Sequence, residues 1–193
     1  MSSLGWYWRR LRAMDAPEIT GRLLQKARAF ADERRKPGWR AVSLQSKGAF
    51  PKLPNPAAAP PELKNALQRD VDAIMKGQWV AFGHLPLNID APPKWHCDYL
   101  VRQELFTDRS AFRLDHRQLP AGGDIKLIWE LSRWSQLVRL AQAGWLLANK
   151  TAAGKCIDWL RDWTRHNVPF TGWNWTSALE VGIRLIQFTW IDA

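Results

Sequence analysis

Apolar side chains recur at helical spacing through the last third of the chain. From Asp124, an N-cap candidate after Gly122 and Gly123, Ile128, Leu131, Trp134, Val138, Ala141 and Trp145 follow one another at intervals of 3, 3, 4, 3 and 4 residues. One face of an α-helix over 124–148 is the simplest cause, with Lys126, Glu130 and Arg133 on a neighbouring face where i,i+3 and i,i+4 pairs form. A second helix is predicted over 152–166, turning Cys156, Ile157, Leu160 and Trp163 inward until Pro169 and Gly172 interrupt it. A third, over 175–190, carries the stripe Trp175, Leu179, Ile183, Ile186 and Trp190. Gly182 inside it costs about 1 kcal/mol against alanine and is read as a place where another helix approaches closely. Short loops between consecutive helices imply antiparallel neighbours.

The pattern is weaker upstream. Residues 1–36 read as a basic helical arm, with Asp15 capping a helix, Glu18 at its third position, and Ile19, Leu23, Leu24 and Ala27 as a stripe. Pro37 and Gly38 end it, and the prolines at 51, 54, 56, 60 and 61 around Ala57, Ala58 and Ala59 make 37–61 a linker or strap. Helical spacing returns over 62–76 (Leu63, Leu67, Val71, Ile74, Met75), and Gly77 supplies the stop. Residues 78–123 lose the period and are predicted as long ordered loops with short extended pieces at 79–82 and 111–114. The fold class expected is therefore all-α, built from helical hairpins after a long irregular region.

Composition narrows the class. With 46% apolar and 24% charged residues over 193 positions, one substantial core is affordable. No apolar run approaches the roughly 20 residues of a transmembrane helix, so no membrane insertion is expected. The amino terminus places Trp6, Tyr7 and Trp8 before Arg9, Arg10 and Arg12, the reverse of a secretory signal, so a cytoplasmic location is expected. Cys97 and Cys156 lie far apart without ligand spacing, and His84, His96, His116 and His166 are read as surface or capping residues, so no metal and no cofactor are expected. The net charge of +10, with ten Lys/Arg against four Asp/Glu in residues 1–40, favours an anionic polymer as partner. Thirteen tryptophans add rings that either fill a core or stack on sugars.

Two segments choose among the polymers. Asp124-Ile-Lys-Leu-Ile-Trp-Glu-Leu-Ser-Arg133, followed by Leu-Val-Arg-Leu-Ala-Gln-Ala at 137–143, resembles the D-I-K-x-x-W-E-x-x-R motif of the amino-terminal domain of heparinase II/III-like polysaccharide lyases. Asn174-Trp175, Glu180 and Arg184 match that family's N-W-x-x-x-x-E-x-x-x-R helix, and Phe82-Gly83, Pro92-Pro93-Lys94-Trp95-His96 and the opening Trp-Tyr-x-x-Arg-Leu-Arg extend the likeness upstream. The resemblance implies that 62–193 begins an incomplete (α/α) toroid belonging to a larger lyase. Such an enzyme cleaves uronic-acid-containing polysaccharides by β-elimination: a base removes the C5 proton, the neighbouring carboxylate is neutralised, and an acid protonates the leaving oxygen. It also allows a periplasmic location.

The family's catalytic Tyr and His are expected beyond residue 193, and Tyr7 and Tyr99 match no catalytic motif, so no general base is assigned. The last helix is still apolar at Ile191, without a cap, and a missing carboxy-terminal part of the same protein is expected as a partner beside an acidic polysaccharide. Asn174, Trp175, Arg184, Trp129 and Arg133 are the candidate substrate-binding residues. Four of the five have a plainer alternative: Asn174 as an N-cap, Trp129 and Trp175 as core, and Arg184 as the intrahelical partner of Glu180. Glu130 and Glu180 are expected to join Arg133 and Arg184 in a structural charge network between facing helices. A non-catalytic acidic-glycan module is the second reading; a nucleic-acid binder, lacking any recognised motif, is the third.

Overall fold

The computed structural model describes residues 5, 12–34, 38–39, 53–117, 119 and 123–192. The chain divides into two compact units, Met1–Pro37 and Gly38–Ala193. In the first, α1 spans Ala16–Arg34. Asp15 Oδ1 accepts the Glu18 backbone N–H at 2.8 Å, and Glu18 pairs with Arg22 one turn on. No residue of α1 is buried. Arg9 and Arg10 lie outside the described residues, as does most of the predicted linker.

In the second unit, a 3-10 turn at Pro56–Ala58 leads into α2 (Pro61–Met75), which buries Leu67, Val71 and Ile74. Two antiparallel hairpins follow: β1 (Gln78–Ala81) with β2 (Leu85–Asn88), and β3 (Cys97–Asp98) with β4 (Gln103–Glu104). Helices α3 (Ile125–Leu131), α4 (Ser135–Leu146), α5 (Lys150–His166) and α6 (Ala178–Asp192) complete it. Helix α4 is central, packing on α2, α5 and α6, with Leu137, Leu140 and Ala143 fully buried. Its closest approach is to α5, where a Cβ added to Gly144 would lie 2.9 Å from the Ala153 methyl.

Several expectations are corrected. The single helix over 124–148 is two, because Ser132–Trp134 leaves helical geometry and Trp134 takes a left-handed φ of 64°. Its ring thereby enters the core, edge-on to Trp163 at 4.8 Å between centroids. The described residues are mostly helical, as expected of the fold class, but the long loop region holds the two hairpins, and 111–113 is a 3-10 turn, not an extended piece.

On α5 the inward residues are Ala152, Cys156, Trp159 and Trp163, while Ile157 is half exposed. On α6 the predicted stripe faces outward: Leu179, Ile186 and Trp190 are all more than half exposed, and nothing among the described residues approaches Gly182. The face that packs on the molecule instead carries Glu180 and Arg184. Cys97 and Cys156 are both buried free thiols. No described helix is long and apolar enough to cross a membrane.

Candidate functional site

The two motif segments meet. Asp98, a buried residue of β3, accepts the Asp124 backbone N–H at 2.8 Å through Oδ2 and that of Leu100 at 2.9 Å through Oδ1. Asp124 in turn caps α3 through the Lys126 N–H. This fixes where α3 starts, and with it the positions of Trp129 and Glu130. Arg133 sits in the break between α3 and α4. Its Nη1 donates to Glu130 Oε2 at 2.7 Å, while Nε and Nη2 donate to Glu180 Oε2 and Oε1 at 2.8 and 2.7 Å, a parallel two-bond pair. Glu130 Oε1 also accepts the Phe82 N–H at 3.0 Å, tying in the turn between β1 and β2.

Glu180 is 1% exposed and lies in the first turn of α6, where the helix dipole favours a carboxylate. One turn later Arg184, 3% exposed, donates from Nη2 to the Asn174 carbonyl at 2.6 Å. Its guanidinium lies 5.3 and 5.4 Å from the rings of Trp163 and Trp175. Asn174 Nδ2 continues the chain to Asn167 Oδ1 at 2.7 Å, and Asn167 Nδ2 to the Trp163 carbonyl at 2.9 Å. Trp39 closes one side, its ring 5.7 Å from that of Trp175 and its Nε1 donating to the Thr164 carbonyl at 2.8 Å.

The charges respond to this arrangement. The hydrogen bonds that Arg133 donates to Glu180 are the largest influence on it and raise its pKa above the ordinary range. Burial lowers Arg184 to about 10, against the pull of Glu180. Two carboxylates face two guanidiniums, and both Glu180 oxygens are taken by Arg133, so the cluster neutralises itself and offers no free base.

The structure therefore brings together Glu130, Arg133, Asn174, Trp175, Glu180 and Arg184. It does not leave them equally open. Asn174 is fully buried inside a 3-10 turn (Trp173–Trp175) before α6, so it is no N-cap. Arg184 is enclosed, whereas the Arg133 side chain keeps 27% exposure. Trp129 stands apart from the cluster, half-buried, with Nε1 donating to the Trp173 carbonyl at 3.0 Å and its ring 5.3 Å from that of His116. Among the described residues, Arg184 Nη1, Asn174 Oδ1 and Trp175 Nε1 are buried without a hydrogen-bond partner.

Sequence reasoning missed Asp98, Asn167 and Trp39. For Asn167 a signal existed: an Asn just past the last periodic residue of α5 and two before Pro169 marks a helix end whose side chain bonds backbone. Nothing in the pattern singled out Asp98. His96, expected as a surface or capping residue, is buried; its Nε2 lies 3.1 Å from the His166 carbonyl at the end of α5, and burial lowers its pKa and favours the neutral ring. Tyr99 is buried too, its hydroxyl accepting the Lys94 N–H at 2.8 Å. No group of three or more His, Cys, Asp or Glu among the described residues is placed to hold a metal ion.

No family model matches the chain, and neither a curated protein nor a solved structure matches it.

Proposed function

We propose that this chain is the amino-terminal, toroid-forming part of a polysaccharide lyase that cleaves uronic-acid-containing polysaccharide by β-elimination, and that its own role is architectural and glycan-binding. One observation carries the reading. The charged residues that define the two lyase-like motifs, 47 positions apart at Arg133 and Glu180, are the ones that meet in a two-bond ion pair. A motif whose letters are needed to hold two helices in register supplies a physical reason for that spacing. Because the pair is self-neutralised, the chain by itself is assigned neither the base nor the acid of the reaction.

The test is the ultraviolet absorbance of the unsaturated uronide product, followed on acidic polysaccharides with this chain alone and with the whole product of its gene. Product is expected only from the latter. Product from the chain alone overturns the architectural assignment, and glycan binding without product from either supports the second reading, a non-catalytic acidic-glycan module.

A further inference from the structure

The motif cluster is too enclosed to receive a polymer, so a glycan that touches this chain must do so elsewhere. The outer face of α5 has the chemistry. Against the turn at Ala91 and Pro92 it forms an open groove of about 360 Å³, lined by Lys155, Asp158, Arg161, Asp162 and Arg165. Trp159 forms its floor at 4% exposure, with the Lys155 Nζ 5.6 Å from the ring. Asp162 is engaged from below: Oδ2 accepts the Trp95 Nε1–H at 2.8 Å, and Oδ1 lies 3.5 Å from His166 Nδ1. The side chains of Asp158, Arg161 and Arg165 make no hydrogen bond or ion pair among the described residues.

We infer that this groove is a binding site for a carboxylated oligosaccharide. The inference rests on the acidic-glycan reading above and names the surface that serves it. Lys155 and Arg165 are ten residues apart on one helix, about 15 Å along its axis, so the cations suit anionic groups spaced along a chain better than one compact ion. The acidic members decide which chain. A DNA phosphodiester backbone is densely anionic and has no hydroxyl donors along it, so Asp158 and Asp162 repel it. A uronate chain has sparser charge and many hydroxyls, and Asp158 can accept hydrogen bonds from those hydroxyls while Lys155, Arg161 and Arg165 meet the carboxylates.

The experiment compares the unmodified protein with R161E/R165E and with K64E/R69E, which makes the same charge change on α2, outside the groove. Binding of an alginate oligosaccharide, a neutral dextran oligosaccharide and single-stranded DNA of matched charge is measured by calorimetry at two salt concentrations, after circular dichroism confirms unchanged helix content. The alginate oligosaccharide is expected to bind in a salt-sensitive way, to lose about tenfold or more in affinity in R161E/R165E, and to lose about twofold or less in K64E/R69E. Equal effects of the two variants, or none, overturn the groove while leaving the acidic-glycan reading intact. No binding of the alginate oligosaccharide by the unmodified protein overturns both, and tighter binding of DNA than of alginate overturns the choice of a glycan.

Discussion

Arg133 grips Glu180 through two parallel hydrogen bonds of 2.8 and 2.7 Å, joining the break between α3 and α4 to the first turn of α6. Glu180 is nearly inaccessible, so the pair works in a medium where an unmatched charge is expensive. Glu180→Gln keeps the shape, removes the charge, and leaves Arg133 with Glu130 alone and Arg184 without its nearby carboxylate. A loss of about 3 kcal/mol in unfolding free energy is expected. Arg133→Lys, which cannot make the two-bond fork, should cost about 1–2 kcal/mol. Urea denaturation reads both; a change below about 0.5 kcal/mol for Glu180→Gln would mean the pair is not what holds α6 in place.

Trp163 joins the aromatic core to the polar chain. Its ring, 0% exposed, meets Trp134 edge-on, lies under Arg184, and donates Nε1–H to Ser132 Oγ at 3.1 Å. Trp163→Ala removes all of this and should cost about 3–5 kcal/mol. Trp163→Phe keeps most of the packing but strands a buried hydroxyl, for about 1–2 kcal/mol. Adding Ser132→Ala to Trp163→Phe should recover part of that loss, and equal stability of the single and double variants in chemical denaturation counts against the bond.

How much of this was readable beforehand depended on whether side-chain period and backbone geometry agree. On α3 and α4 they diverge. The spacing of Leu131 and Trp134 continues through the break, since both remain buried, and the left-handed position is held by a tryptophan rather than by a glycine that would have announced it. On α6 periodicity located a helix but chose the wrong face, because a face that packs through paired Glu180 and Arg184 looks polar and the face left exposed looks apolar. The charged cluster itself was legible because its members sit one turn apart within two motifs. Asn174 was not: a helix-start Asn reads as a cap, and only its burial against Asn167 reveals the different role.

The turn after α2 depends on backbone geometry rather than packing. Gly77 has a φ of 76°, its carbonyl accepts the Ile89 N–H at 2.7 Å, and a Cβ there would collide with the Ile89 carbonyl oxygen. Gly83 has almost the same φ, 75°, but open space around it. Gly83→Ala should therefore cost only the conformational preference, about 1 kcal/mol, whereas Gly77→Ala must also move backbone and should cost about 3 kcal/mol or more. Thermal unfolding of the two variants separates strain from collision, and equal losses would show that the close approach at Ile89 relaxes freely.

Alkaline pH should weaken the fold through buried acids, Cys156 and Tyr99 foremost. Burial pushes Cys156 up to about 11 from an ordinary value of 9, and Tyr99 up to about 12 from 10, the latter opposed by hydrogen bonds from the backbone of Lys94 and Asp90. In each case the unfolded chain releases its proton first, so over that interval it binds fewer protons than the folded chain and stability falls as pH rises. The Cys156 contribution is intact below about pH 9 and is lost by about 11; that of Tyr99 is lost between about 10 and 12. Arg184 acts with the opposite sign, since burial lowers its folded value to about 10, below the ordinary guanidinium range, and it adds stability as pH climbs above that value. The interval from pH 9 to 10 therefore reports the buried thiols, Cys97 being raised by burial as well, and substitution separates the share of Cys156. Across it the melting temperature should fall more steeply in the unmodified protein than in Cys156→Ala, while Tyr99→Phe should flatten the curve only above pH 10. Identical slopes for the unmodified protein and Cys156→Ala would mean that the Cys156 thiol is not held in a buried, neutral state between α5 and the Leu137 carbonyl of α4, 3.3 Å from its sulfur.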